Sequence, residues 1–172
     1  MRVLFCTALV AAVLLGGAPT LAPPAAAAPM DRYVDPVNGW SISYPAGWRI
    51  DGSDPAVTQI RDPENQALVG IRVASTNLPL NAIADQILDS QAQYLQEKGQ
   101  TWALSSRQLI SFPNGTPAVD VRGDLVPGGR SHQLFLLKGG RAFAVNAETS
   151  TALWGKFNAD FDGILLSFTL PA

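Results

Sequence analysis

Cysteine is almost missing from this 172-residue chain: Cys6 stands alone, so no intramolecular disulfide can staple the fold. Histidine is equally scarce, with His132 the only one, and a single imidazole excludes the usual zinc cages. Long runs of one charge are lacking as well. The 12 basic and 14 acidic residues are interspersed, for a net charge of −2. Nucleic acid and anionic membrane surfaces are therefore not expected partners. No G-x-S-x-G elbow, no EF-hand spacing and no glycine-rich loop opening a helix is present. One long apolar run exists, and it lies at the N-terminus.

That run settles the expected compartment. Arg2 precedes "VLFCTALVAAVLL", then Gly16-Gly17 and a small-residue tract ending "PPAAAAP". This is the pattern of a secretory signal peptide, residues 1–27, with cleavage near Ala27 at Ala25-x-Ala27. The run is too short to cross a ~30 Å hydrocarbon core as a helix. Cys6 lies inside it, too early for a lipid-anchor cysteine, and leaves with it. The mature chain, about 145 residues, is one domain's worth. Arg2 aside, 11 basic residues face 14 acidic ones, a net charge of −3. A secreted or periplasmic protein without an integral membrane anchor is expected.

Residues 28–38 carry little periodicity and read as a leader. In "GWSISYPAGWRI", Trp40, Ile42 and Tyr44 alternate with Ser41 and Ser43, the period of a half-buried strand. Tyr44-Pro45-Ala46-Gly47 closes it with a turn, and "DGSDP" reads as a loop. Strands follow near Val57–Arg61 and Leu68–Ala74, separated by "DPENQ". Leu80, Ala84, Ile87, Leu88, Gln91 and Leu95 then share one side of a helix, with Asn81 as its N-cap and Gly99 just past its end. From Trp102 the chain returns to strands divided by Pro113-Asn114-Gly115, Pro127-Gly128-Gly129 and Gly139-Gly140, the last a hairpin signal. In "PAVDVRGDL", Val119 and Val121 turn inward while Asp120, Arg122 and Asp124 face water. A second helix carries Leu153, Phe157, Phe161, Ile164 and Phe168 on one stripe, capped by Thr149 or Ser150. Short links make the sheet mostly antiparallel. Apolar residues on both faces of several strands require cover on both sides. The expected fold is α+β: an antiparallel sheet of about six to seven strands sandwiched between helices.

The pattern resembles the PsbP-like superfamily. "GWSISYPAGW" is similar to its opening strand ending in Tyr-Pro-x-x-Trp. The turn at Phe112–Gly115, "GGRAFAVNAETSTALW" and the closing "GILLSF" continue the match over roughly residues 33–170. The resemblance implies a single α/β/α domain over residues 39–170. The superfamily spans photosystem II extrinsic proteins, a Ran-binding nuclear protein and many bacterial secreted proteins, with no shared chemistry. It therefore implies fold more than function. This chain lacks the extended N-terminal region with which the photosynthetic members dock, which separates it from a role in oxygen evolution.

No catalytic set suggests itself. Ser131 and His132 point to opposite strand faces, and a nucleophile needs its base within hydrogen-bond reach. His132, on the parity of Leu134 and Leu136 near a hairpin end, reads as a partly exposed structural residue. "DGSD" at Asp51–Asp54 and "DPEN" at Asp62–Asn65 read as turns before calcium shells, and Asp160 and Asp162 diverge on their helix. No metal and no cofactor is expected. Trp40, Tyr44 and Trp48 read as core and corner residues. The expected function is non-enzymatic: a monomeric extracytoplasmic module binding another extracytoplasmic protein, with His132, Arg130 and Trp102 as candidate contacts. The alternatives are a carrier holding a small apolar ligand between sheet and helix near Trp102 or Trp154, and a hydrolase with a site that no motif reveals.

Overall fold

The computed structural model describes residues 29–54, 56–112 and 114–171; the signal-peptide reading lies outside the described residues. In chain order the elements are β1 (Met30–Val34), β2 (Ser41–Pro45), β3 (Arg49–Asp54), β4 (Val57–Arg61), β5 (Ala67–Ser75) and α1 (Leu80–Glu97). Next come β6 (Thr101–Ser111), β7 (Pro117–Val126), β8 (Gly129–Lys138) and β9 (Arg141–Ser150). A 3₁₀ turn over Thr151–Leu153 then leads into α2 (Trp154–Leu166). Among the described residues, seven strands form one sheet in the order β3-β4-β5-β9-β8-β7-β6. All of its pairings are antiparallel. The expected α+β sandwich is therefore present.

Each face of this sheet buries a different helix because its strands alternate apolar residues to both sides. On one face Val119, Val121 and Phe135 pack with Ala84 and Leu88 of α1. On the other, Leu134, Leu136, Phe143 and Val145 pack with Phe157, Phe161, Ile164 and Leu165 of α2. The β1–β2 ribbon covers the rest of that second face through Trp40, Ile42 and Tyr44. Ser167, just past α2, clips β2 in place: the Ser43 amide donates to its Oγ at 2.8 Å.

The aromatic strand is structural, as its alternation implied. Trp40 is fully buried, with its ring 5.6 Å from that of Phe168. Trp48 meets Phe157 and Phe161 edge-on at 5.9 and 6.5 Å, the geometry favoured by the ring quadrupoles. Gly47, at φ +88°, lets the turn between the two tryptophans close.

Four local readings change. The segment expected as a leader contains β1, which pairs along β2 from Met30↔Pro45 to Val34↔Ser41; strand formation there comes from the partner, not from the segment's own pattern. Residues 51–54 of the expected loop belong to β3, an exposed edge strand held by β4. Helix α1 begins one turn-position earlier, with Pro79 as its cap residue, so Asn81 lies inside it. Thr149 and Ser150 end β9 and do not cap α2, and Phe168 follows the helix.

Asp120 is the largest correction. It is buried, not solvated, and so is His132, at 5% and 3% exposure. The consequence appears at the site.

One close approach tests the packing under α1. A Cβ placed on Gly123 would lie 2.4 Å from the Trp102 ring, and an indole cannot bend away. Gly123→Ala is expected to lower the unfolding free energy by about 1–3 kcal/mol. Trp102→Leu in the same chain should make the alanine cheaper, a non-additivity measurable by urea denaturation.

Candidate polar groove between α2 and the β6 edge

The β7–β8 hairpin sets charged residues opposite one another on the α2 face. Its register pairs Asp124 with Arg130, Arg122 with His132, and Asp120 with Leu134. Directly paired or diagonal cross-strand neighbours are close enough to interact. Arg130 Nε donates to Asp124 Oδ1 at 2.7 Å, and Ser105 Oγ to Asp124 Oδ2 at 3.2 Å. His132 Nε2 lies 2.8 Å from Asp120 Oδ2.

Helix α2 completes the cluster from above. Asp162 Oδ1 sits 3.2 Å from His132 Nδ1 and accepts from Arg122 Nη2 at 3.0 Å. Arg122 also approaches Asp120, at 3.9 Å. Two helical turns earlier on the same flank, Trp154 receives the Arg130 guanidinium over its ring at 5.8 Å. Between this flank and β6 runs an open groove of about 410 Å³, lined by Ser105, Ser106, Arg122, Gly123, Arg130 and Trp154.

The chemistry of this arrangement follows from where the ring nitrogens of His132 go. Each one faces a carboxylate from a different element, Asp120 on β7 and Asp162 on α2. A general base needs one nitrogen directed at a substrate or nucleophile, and this imidazole has neither nitrogen free. The same geometry sets the two carboxylates on opposite sides of the ring, so they do not converge on a common ion. Its evident work is electrostatic: it fastens α2 to the hairpin.

Of the three candidate contacts, the structure brings two together. Arg130 and His132 stand two residues apart on one face of β8, Arg130 at the groove and His132 beneath it. Trp102 does not join them. It lies on the α1 face, where its Nε1 donates to Ser131 Oγ at 3.2 Å. Asp120, Arg122, Asp124, Ser105 and Asp162 were not singled out from sequence, although the hairpin register could have found most of them. The turn-like acids serve their own backbone: Asp62 Oδ1 accepts from the Gln66 and Ala67 amides, and Asp51 Oδ1 from Ser53.

No family model matches the chain, and no curated protein matches it. Among solved structures it is similar to cyanobacterial PsbP (CyanoP) from Synechocystis sp. PCC 6803. The TM-score is 0.67 at 16% identity, over 91% of this chain and 98% of that one. It is also similar to PA94 from Pseudomonas aeruginosa, with TM-score 0.54 and 14% identity over 83% of this chain and 97% of that one. The architecture is that of an α+β sandwich built on one antiparallel sheet. More specifically, the chain has a PsbP-like fold.

Two predictions follow from the cluster. His132→Leu leaves Asp120 buried without its partner and is expected to cost about 3–5 kcal/mol of stability. Adding Asp120→Asn should return part of that loss in a urea titration. The second concerns Asp124, whose carboxyl is held below its ordinary 3.8 first by the Arg130 hydrogen bond. A depressed carboxyl stabilises the fold above its unfolded value, and that contribution fades as pH falls through the folded value. Carboxyl ¹³C NMR should place its midpoint below 3.8 and show it rising in Arg130→Gln.

Proposed function

We propose that this protein is a non-enzymatic binding module that works outside the cytoplasm and presents the groove between α2 and β6 to another protein. One observation carries the reading: Arg130 lies over Trp154 at the rim of an open polar groove. Arg and Trp are the residue types most enriched at interface hot spots. Here both are pre-positioned, Arg130 by Asp124 and Trp154 by packing against Phe161 at 5.6 Å. Side chains already held in place lose less freedom on binding. The engaged ring nitrogens of His132 support a non-catalytic role. The location outside the cytoplasm rests on the N-terminal sequence. No helix among the described residues is long and apolar enough to cross a membrane.

The packing of the two tryptophans weighs against the apolar-carrier alternative. Trp102 lies directly on the Gly123 backbone, and Trp154 packs on Phe161, so each ring fills the space that an apolar ligand beside it would need.

A photo-crosslinking amino acid at Ser106, compared with one at Asp89 on the exposed side of α1, tests the proposal in the native producer. Ser106 should yield one reproducible protein adduct that Asp89 does not, and Arg130→Ala with Trp154→Ala should abolish it. An identical adduct pattern at both positions, or none at Ser106, would remove the groove as the working face.

A further inference from the structure

A second groove lies between the β1–β2 ribbon and strands β3 to β5, and it does not rest on the reading above. It measures about 330 Å³, within the ~300–1,000 Å³ range of small-molecule sites. Val57 and Ile71 give it an apolar wall, and Tyr33 and Trp40 an aromatic one, their rings 5.5 Å apart.

Its charge has one sign. Asp35 and Asp54 line it, and no Lys, Arg or His does among the described residues. Their carboxylates accept only from nearby backbone amides: Asp35 Oδ1 from Val37 at 3.0 Å and Asn38 at 2.5 Å, and Asp54 Oδ1 from Ala56 at 2.8 Å. Neither forms an ion pair among the described residues. Burial and the Asp35 charge hold the Tyr33 phenol above its ordinary value of 10.0, so it stays a neutral ring.

An independent observation points to an occupant. Trp40 lines this groove and is 1% exposed, yet its Nε1 has no acceptor among the described residues. Buried indole N–H groups are normally paired. An anionic ligand would supply an acceptor but would face two uncompensated carboxylates. A cation is favoured by both the acids and the aromatic faces.

We propose that this groove binds a hydrophobic ammonium compound with a carbonyl close to its charge. The ammonium lies between Asp35 and Asp54, the apolar group rests on Val57 and Ile71, and the carbonyl oxygen accepts the Trp40 N–H. A free amino-acid amide and the N-terminal residue of a peptide share this chemistry.

The indole ¹H–¹⁵N resonance of Trp40, assigned by its loss in Trp40→Phe, is the readout. Leucine amide should shift it saturably, and N-acetyl-leucine amide should bind about ten-fold more weakly or less. Anionic N-acetyl-leucine should leave it unmoved. Asp54→Asn keeps the acceptor for the Ala56 amide and removes the charge, so it should weaken leucine amide severalfold, whereas Asp89→Asn should not. The tripeptide Leu-Ala-Ala amide separates the sources: equal affinity points to a peptide terminus, much lower affinity to a free small amine. A Trp40 resonance that stays fixed, or that responds equally to the cationic and anionic probes, would overturn the assignment. So would leucine-amide binding indifferent to Asp54→Asn.

Discussion

Two adjacent residues of α2 must be satisfied in opposite ways, and the second layer of the fold depends on it. Phe161 is fully buried in the aromatic cluster with Trp48, Trp154 and Phe157. Asp162, next in sequence, reaches the imidazole and the guanidinium at the hairpin. Apolar burial supplies the drive but has no direction; a helix held by it alone could roll or slide. Charge-assisted contacts are directional. Successive helical residues point about 100° apart, so only one rotation of α2 seats both side chains. The groove beside β6 inherits its shape from that rotation, since Trp154 and Asp162 are both on the flank it exposes.

How far this was readable from the chain varies with the physics involved. The sandwich was legible because both helices and most strands carry their own periodicity, and because Pro-Gly-Gly and Gly-Gly links announce hairpins. Strand β1 was not, since its residues alternate weakly and its order is imposed by pairing with β2. The candidate site was half legible. Asp120, Arg122 and Asp124 alternate with valines and so looked like an ordinary solvated face. Counting back from the Pro127-Gly128 turn would have set Arg122 opposite His132 and Asp124 opposite Arg130, matching the observed register. What no local count reveals is that α2 closes over this end of the sheet and buries Asp120. Trp102 failed as a candidate for a related reason: parity assigns it a face, but the glycine that admits its ring lies on another strand.

The PsbP-like fold is a framework on which sites are placed, and the two grooves use it differently. One sits where a helix falls short of the sheet edge and is built of opposed charges that largely neutralise each other. The other lies where a short ribbon leaves the sheet and keeps its acids uncompensated. Neither depends on an element of the other, so a partner at the first and a ligand at the second need not compete. The compact core separates them: Phe143, Val145 and Phe161 between the two ends are fully buried.

Strand β6 is eleven residues long, exposed along most of its length, and has Arg107 as its only charged side chain. A flat edge of this kind recruits strands from other molecules. The register shift against β7 between Leu104 and Ser106 breaks its row of outward amides and carbonyls into two short pieces that are out of step. An incoming strand can align with one piece and then meets the wrong spacing at the next. A single irregular residue thus guards against sheet-by-sheet aggregation at an edge that has few charges to do so.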